Sequence, residues 1–353
     1  MFIGSLSLRN LRNIREANLN LHKKSNIIIG ENAAGKTTVL ESLDILSRGK
    51  SFRTNKTENL IYHGENELYV GATVGENKTK LEIKKSKDKT KILINGQEEK
   101  KQSRLAEELA IQVIHPGSHN LIEGGPSERR SFLDWGLFHV EQNFKYEWAE
   151  YQKILKQRNE ALKSGEKNEQ IWMEKLANLG EHISFLRQKY LDRLESILQE
   201  MKTYLMPEVD LKFFYDCGWN PKKSLLEALN EKKQVDLERG YTSCGPQNAD
   251  IKIYLNKKEV HRICSRGQQK IIANIMLLSQ TRDFYEKKSY ASIILVDDLS
   301  AELTLELQEK ILERLFDTES QIILTALNDS VLGDILCEMG AGVFHVEHGE
   351  IIQ

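Results

Sequence analysis

A glycine-rich segment between an apolar strand and a helix restricts the fold of this chain more than any other feature. Residues 30–37, GENAAGKT, fit the pattern G-x-x-x-x-G-K-[ST] and follow the apolar run SNIII at 25–29. The glycines let backbone N–H groups turn inward around phosphates at a helix N-terminus, where the helix dipole favours anions. We therefore predict a P-loop in which Lys36 reaches the β- and γ-phosphates of ATP and the Thr37 hydroxyl holds Mg²⁺. The predicted nucleotide-binding residues are Gly30, Glu31, Asn32, Ala33, Ala34, Gly35, Lys36, Thr37 and Thr38, with Arg12 and Asn13 from the preceding strand pair.

A second apolar strand, SIILVDD at 292–298, ends in two carboxylates. Acids at the carboxyl edge of a buried strand complete the Mg²⁺ site of P-loop proteins. We predict that Asp297 binds the metal together with Thr37, and that Asp298 orients or deprotonates the attacking water. Lys36, Asp297 and Asp298 are thus the predicted catalytic residues. The alternative is that both acids cap the next helix together with Ser300.

The bulk composition bounds the class of protein. A length of 353 residues predicts about two domains. The net charge of −2 provides no global basic field, so any contact with DNA must come from a local patch. The four cysteines form no C-x-x-C pair, which predicts reduced thiols rather than a metal site. No signal peptide or membrane-spanning run is apparent, which predicts a cytoplasmic protein with no membrane partner.

The periodicity of the chain predicts two domains of different kinds. Alternating residues at 2–21 and around 68–94 predict strands, the latter an antiparallel β lobe. Residues 127–205 are helical in pattern except for a break at KSGEKN, which predicts a helical hairpin. The near-continuous apolar runs SIILVDD and QIILTAL suit a parallel sheet that is covered on both faces. We predict an α/β head domain at 1–124 and 207–353 and a smaller helical arm domain at 125–206.

A polar segment before an apolar helix, CSRGQQK at 264–270, is a second candidate anion site. A serine and a glycine ahead of a helix expose a hydroxyl and backbone N–H groups at its positive end. One nucleotide needs only one such cradle on its own chain. The presence of two on this chain indicates that a second subunit supplies the other cradle to each nucleotide. The predicted residues of this site are Ser265, Arg266, Gly267 and Gln268. The alternative is an ordinary helix N-cap at Ser265.

The order of these motifs resembles that of the ATP-binding cassette (ABC) ATPases. In that superfamily, the serine and glycine of one subunit cap the γ-phosphate bound by the P-loop of its partner. Further stretches make the whole chain similar to the RecF family of bacterial DNA replication and repair ATPases, whose ABC-type head is related to SMC heads. These stretches are LRNLRNI before the P-loop, GKSFRT at 49–54, GGPSERRSFLDW at 124–135, KQRNEAL at 156–162, YTSCGPQNADI at 241–251, SRGQQK at 265–270 and LVDDLSAEL at 295–303.

The resemblance implies an ATP-dependent DNA-binding protein, associated with the nucleoid, that acts in recombinational repair, replication and the SOS response. ATP would drive a homodimer of two heads on duplex or gapped DNA with single-strand junctions, and slow, DNA-dependent hydrolysis would reset it. With RecO and RecR it would promote recombinase loading at single-strand gaps. The sequence departs from the family pattern at Gln247, Ala249 and Thr304. It also lacks the switch histidine of transporter-type cassettes, which leaves Thr325 or Asn328 to approach the γ-phosphate. His115 and His119 are the candidates for the unassigned Q-loop role.

A lysine-rich hairpin is the candidate DNA contact. The predicted residues are Lys84, Lys85, Lys87, Lys89 and Lys91. Contacts of this kind would be independent of base sequence and sensitive to salt, although such a run is also compatible with a solvated face. Two other functions remain open: the ATPase subunit of an ABC transporter, and a P-loop NTPase that acts as a monomer.

Overall fold

The computed structural model describes residues 1–164, 169–288, 290–300, 303–327 and 340–352. The chain divides into two compact units, one formed by Met1–Ser118 with Phe284–Gln353 and the other by His119–Asp283.

The first unit contains an antiparallel sheet with strand order β2-β1-β4-β5-β6-β7. Its strands are β1 (Ile3–Leu11), β2 (Ile14–Asn20), β4 (Glu67–Val74), β5 (Thr79–Ser86), β6 (Thr90–Ile94) and β7 (Gln97–Glu99). Alternate residues of these strands are buried, which is the pattern of a sheet with one covered face. The structure therefore contains the predicted strand pair at 2–21 and strands throughout the predicted lobe.

A second sheet of the first unit places the P-loop strand at its centre. The strands are β3 (Ser25–Ile29), β8 (Ile111–Ile114), β12 (Ile293–Val296), β13 (Gln321–Ala326), β14 (Gly342–Glu347) and β15 (Glu350–Ile352). Their order is β15-β14-β3-β13-β12-β8, and all neighbouring pairs are parallel except β14 with β15. Strands β3 and β12 are buried along their whole length. The carboxyl ends of β3, β12 and β13 consequently meet at one edge, where ligands bind in open α/β sheets.

Among the residues that the structure describes, three α-helices lie wholly within the first unit: α1 (Lys36–Arg48), α2 (Ser103–Glu108) and α10 (Leu305–Phe316). Helix α1 is buried from Thr38 to Ser47, and its leucine and isoleucine side chains join the core formed by the antiparallel sheet. Gln321 connects the two sheets, because its side chain accepts from the backbone N–H of Ile3 at 2.8 Å and donates to the carbonyl of Ile3 at 2.9 Å.

The second unit is mainly helical, with a small sheet. Its helices are α3 (Asn120–Glu123), α4 (Pro126–Val140), α5 (Phe144–Ser164), α6 (Glu169–Leu205), α7 (Leu225–Arg239), α8 (Val260–Ile263) and most of α9 (Arg266–Lys288). Helices α5 and α6 pack on each other as the apolar seam predicts, with Leu176, Ile183 and Leu194 fully buried. The antiparallel sheet has the order β11-β10-β9, formed by β9 (Leu211–Asp216), β10 (Asp250–Leu255) and β11 (Lys258–Glu259).

The second unit extends beyond the 125–206 segment of the predicted arm domain. It continues to Asp283 and so includes the small sheet and the beginning of α9. Ion pairs are among the contacts that tie these elements to the helices. Arg129 of α4 contacts Asp250 of β10 at 2.6 Å, and Arg193 of α6 contacts Asp283 of α9 at 2.7 Å.

Candidate nucleotide site

The P-loop connects β3 to α1 at the carboxyl edge of the parallel sheet. Gly30 has no room for a side chain, because a Cβ there would lie 2.3 Å from the carbonyl oxygen of Val346. Gly35 has φ = 126° and Ala33 has φ = 65°, in the region that glycine adopts most readily. These backbone angles wrap the loop around the N-terminus of α1, as the motif predicts.

Lys36 lies inside the loop that carries it. Its ammonium group donates to the carbonyl oxygens of Gly30 at 2.6 Å and Glu31 at 2.8 Å. Burial lowers the pKa of Lys36, whereas the nearby carboxylates of Asp298, Asp297 and Glu31 oppose that shift. The ammonium group thus occupies a partly buried position among acids, where a phosphate would be bound.

The two predicted metal ligands, Thr37 and Asp297, are hydrogen-bonded to each other. The Thr37 hydroxyl lies 2.9 and 3.1 Å from the two carboxylate oxygens of Asp297 and donates to them. Burial raises the pKa of Asp297, and the adjacent Asp298 adds to the rise, whereas hydrogen bonds from Thr325 and Thr37 oppose it. A buried carboxylate beside a hydroxyl fits Mg²⁺, which binds through one or two carboxylates and the phosphates of its nucleotide. No group of three or more His, Cys, Asp or Glu that could hold a metal by itself occurs among the residues that the structure describes.

Thr325, at the end of β13, holds the acid pair. Its hydroxyl donates to Asp297 Oδ1 at 2.9 Å and accepts from the backbone N–H of Asp298 at 3.0 Å. Asp298 has φ = 46°, and its side chain accepts from the Ser300 hydroxyl at 2.7 Å. Helix α10 begins only at Leu305, so the interpretation of the two acids as caps of this helix is wrong. Asn328, the other candidate for the γ-phosphate, lies outside the described residues.

Asn13, in the turn between β1 and β2, clamps the P-loop. Its amide group donates to the carbonyl of Ala34 at 2.9 Å, and its oxygen accepts from the Thr38 hydroxyl at 3.0 Å. Arg12, the preceding residue, has φ = 54°. The structure therefore brings both residues that were predicted from outside the P-loop to this site.

Glu41 was missed by the sequence reasoning, although it organises the basic side of the pocket. This fully buried carboxylate on α1 accepts two hydrogen bonds from Arg12, at 2.8 and 3.1 Å, and one from Ser51 at 2.5 Å. Arg53 approaches the same carboxylate at 3.5 Å. A carboxylate on the buried face of an apolar helix was the available signal, because such a group requires partners.

The P-loop and the residues around it line a pocket of about 400 Å³, within the size range of ligand sites. Its lining includes Arg12, Asn13, Glu31, Asn32, Ala33, Gly35, Lys36, Thr37, Thr38, Arg53, Asp297, Asp298, Thr325, Ala326 and Leu327. Of the predicted nucleotide-binding residues, only Gly30 and Ala34 do not line it, and both shape the loop behind it. The arrangement brings a glycine-rich helix start, the Lys36 ammonium group, the Thr37 hydroxyl and two adjacent carboxylates together, which could hold phosphates and a metal ion.

The second candidate anion site lies at the start of α9. Ser265 precedes the helix, and its hydroxyl accepts from the backbone N–H of Gln268 at 3.3 Å, while the Gln268 side chain accepts from the N–H of Ser265 at 3.0 Å. This reciprocal pair is a capping box. Ser265 and Arg266 are exposed, and a Cβ on Gly267 would have no atom nearer than 4.0 Å. The N-cap geometry is therefore real, and the role of this end towards a second subunit stays a prediction.

The lysine hairpin lies on β5 and β6, and its lysines differ in environment. Lys84 and Lys89 are exposed. Lys85 instead donates to the carbonyl of Gly49 at the end of α1, at 2.7 Å, and burial lowers its pKa. Lys87 and Lys91 form ion pairs with Glu58 at 3.1 Å and Glu98 at 3.6 Å. Lys85 therefore binds a carbonyl group at the C-terminal end of α1. A role of these lysines in DNA binding stays a prediction.

The candidates for the Q-loop follow β8. The rings of His115 and Phe52 are tilted against each other with centroids 4.9 Å apart, and His119 pairs with Glu123 at 3.6 Å. Neither lines the nucleotide pocket. Within the described residues, no helix has both the length and the apolar character needed to cross a membrane.

Comparisons with known proteins agree with the family resemblance that the sequence motifs indicate. A family model described as the RecF/RecN/SMC N terminal domain matches residues 2–352. The DNA replication and repair protein RecF of Shewanella woodyi is 34% identical over 354 residues, which cover 99% of this chain and 97% of the relative. That of Shewanella loihica is 34% identical over 356 residues, with 99% of both proteins covered.

Two solved structures are also similar. One is described as the recombination mediator protein RecF-ATP in the RecFOR pathway; its TM-score is 0.87 at 25% identity, and 99% of this chain and 97% of that chain are covered. The other is an Smc head bound to the C-terminal winged-helix domain of ScpA, with a TM-score of 0.60 at 14% identity over 100% and 97% of the two chains. The second likeness concerns the fold alone.

Proposed function

The chain belongs to the RecF/RecN/SMC N-terminal domain family, and from this premise we propose that it is an ATP-switched DNA-binding protein of replication and recombinational repair. The predicted fold class, an α/β ABC-type P-loop ATPase head with an antiparallel β lobe and a smaller helical part, is confirmed. Membership of this family disfavours the transporter subunit, whereas the monomeric NTPase differs from our proposal in a property that can be measured, namely assembly.

The switch that we propose is an ATP-dependent homodimer. The observation that carries it is an exposed, serine-capped helix start on a chain whose own P-loop already joins Lys36, Thr37 and Asp297 in one pocket. Ser265 and Gly267 of one subunit would meet the γ-phosphate bound by the other, because a hydroxyl and N–H groups at a positive helix end suit that anion. ATP would thereby hold two heads together, and its hydrolysis would release them.

The chemistry assigned to each residue follows from its position. Thr37 and Asp297 would hold Mg²⁺, which neutralises charge on the phosphates when it is bound. Lys36 would stabilise the β- and γ-phosphates, and Asp298 would orient the attacking water from the neighbouring position. Hydrolysis is expected to be slow, because two heads must close before the site is complete. It is also expected to depend on DNA, on which the two heads would dimerise.

The partners that we propose are DNA, in duplex and gapped forms, and the proteins RecO and RecR. The similar RecF-ATP structure is described as part of a RecFOR pathway, which supports this assignment. The place of action would be the cytoplasm, at the nucleoid, and the outcome would be recombinase loading at single-strand gaps.

Sizing of the purified protein with and without ATP tests the switch. The wild type should dimerise only with ATP, Lys36→Ala should bind nucleotide weakly, and Ser265→Arg should bind ATP yet remain monomeric. Ser224→Arg is the matched control, since Ser224 caps α7 with the same capping box and is also exposed. ATP-dependent dimers of Ser265→Arg would refute the trans site.

A further inference from the structure

Helix α9, which begins directly after Ser265, carries buried polar side chains of two kinds. Some bond only within the helix: the Thr281 hydroxyl donates to the carbonyl of Leu277 at 3.0 Å. A bond of this kind moves with the helix and does not fix it against its neighbours. Gln280, the preceding residue, is 1% exposed and instead reaches two other helices.

The side chain of Gln280 joins α9 to α4 and α6 at one point. Its amide group donates to the carbonyl of Phe132 on α4 at 2.8 Å and to the hydroxyl of Tyr190 on α6 at 3.1 Å. Tyr190 is buried, and α4 makes room for its hydroxyl at Gly136, where a Cβ would overlap it. A glycine in the middle of a helix weakens that helix, so its presence at this position is explained by the contact with Tyr190.

Asp283, almost one turn further along α9, is a second connection to α6. Its buried carboxylate accepts hydrogen bonds from Arg193 at 2.7 and 3.0 Å. The guanidinium group of Arg193 also lies over the ring of Tyr190, 4.9 Å from its centroid. Gln280 and Asp283 are therefore matched by Tyr190 and Arg193 at the same spacing on α6. We call these four residues the α9 anchor.

The α9 anchor defines one alignment of α9, which apolar packing alone does not do. The helix also buries Ile272, Ile275 and Met276 completely. Apolar side chains of similar size can pack in several alignments, whereas a buried polar residue specifies one, as an asparagine does in a coiled coil. A shift by one residue would move α9 by about 1.5 Å along its axis, and it would leave the Gln280 amide and the Tyr190 hydroxyl without their partners.

We propose that Gln280 is a positioning residue for the trans site, because the α9 anchor fixes where Ser265 and Gly267 lie in the second unit. Gln280 lies about four helical turns after Ser265, and the constant rise of a helix transmits an axial shift along its length. A misplacement of about 1 Å can reduce the effect of a positioned group by roughly 100-fold. This inference rests on the proposed function, since it concerns the helix end that would meet the partner's γ-phosphate.

The double variant Tyr190→Phe/Gln280→Leu tests this role. Replacement of both partners of a buried hydrogen bond by apolar groups of similar shape is nearly neutral for stability, so the midpoint of urea unfolding should stay close to that of the wild type. ATP affinity should also be unchanged, since neither residue lines the nucleotide pocket. ATP-dependent dimerisation, measured by analytical ultracentrifugation, should weaken about tenfold or more.

Two further variants make the test specific. Thr281→Val is the matched control, because it removes a buried hydroxyl that bonds only within α9, and it should dimerise as the wild type does. Tyr190→Phe alone keeps the bond from Gln280 to Phe132 and should weaken dimerisation less than the double variant. Dimers of the double variant as tight as those of the wild type would overturn the positioning role.

Hydrogen exchange without nucleotide tests the α9 anchor independently of dimerisation. The backbone amides of residues 266–270 should exchange faster in the double variant than in the wild type or Thr281→Val, because α9 would sample more than one alignment. Unchanged exchange in the double variant would contradict the inference. A wild-type protein that stays monomeric with ATP would refute the proposed switch, and the exchange measurement would then decide the role of the α9 anchor by itself.

Discussion

The hydroxyl of Thr37 donates to both carboxylate oxygens of Asp297, at 2.9 and 3.1 Å, although the two residues are separated by 260 positions in the chain. Parallel pairing of β3 with β13 and of β13 with β12 places the carboxyl ends of all three strands together. The contact joins the two halves of the proposed metal site before any ligand contributes to it.

Replacement of Thr37 tests whether its hydroxyl is a ligand of Mg²⁺. Thr37→Val keeps the shape of the side chain but removes the hydroxyl, so we expect Mg²⁺ to strengthen ATP binding much less than in the wild type. Thr37→Ser, which retains the donor, should behave nearly as the wild type does. Titration of a fluorescent ATP analogue with and without Mg²⁺ measures the difference. Equal Mg²⁺ dependence for both variants would exclude Thr37 as a ligand.

The acidity of Asp297 predicts a pH dependence. Because burial raises the pKa of Asp297 in the folded state, folding favours the protonated form, and this stabilisation is lost as pH rises through the raised pKa. Asp297→Asn should therefore raise Tm relative to the wild type at neutral pH without Mg²⁺. This difference in Tm should narrow as pH falls through the raised pKa of the folded state and vanish below the pKa of the unfolded state. Thermal unfolding at several pH values checks this, and a gap that is independent of pH would contradict it.

Much of this site could be predicted because its signals are local. The P-loop, the buried β3 and the acids after β12 are each readable from a few consecutive residues, and apolar parallel strands place such ends at one edge. Glu41 could not be assigned in this way, and Thr325 was predicted as a candidate for the γ-phosphate but not as the residue that holds the two acids. Their roles depend on partners far away in the chain, namely Arg12, Ser51 and Asp297.

The same limit explains the extent of the second unit. The predicted helical pattern at 127–205 correctly gives the end of the long helix, since α6 ends at Leu205. The contacts that join β10 and α9 to the helices include the ion pairs of Arg129 with Asp250 and of Arg193 with Asp283. Pairings across such separations leave no periodic trace in the sequence.

Glu41 predicts a stability effect. Glu41→Ala would leave Arg12, whose side chain is 24% exposed, without its buried partner. Loss of one member of a buried pair costs about 3 kcal/mol, and ATP affinity should fall as well, because Arg12 lines the nucleotide pocket. Urea unfolding measures the first effect. Glu58→Ala, an exposed partner of Lys87, should change the free energy of unfolding by less than about 1 kcal/mol.

The lysine hairpin gives the last prediction, since its members should separate into two classes. Replacement of the exposed Lys84 and Lys89 by Gln should weaken duplex DNA binding and reduce the slope of log K against log salt by about 0.9 for each phosphate that the variant no longer neutralises. Lys85→Gln should instead lower the stability of the head, because its ammonium group binds the carbonyl of Gly49 at the end of α1. Salt titrations of DNA binding, together with thermal unfolding of each variant, distinguish the two effects. An unchanged salt slope for the double variant of Lys84 and Lys89 would place the DNA-binding surface elsewhere on the protein.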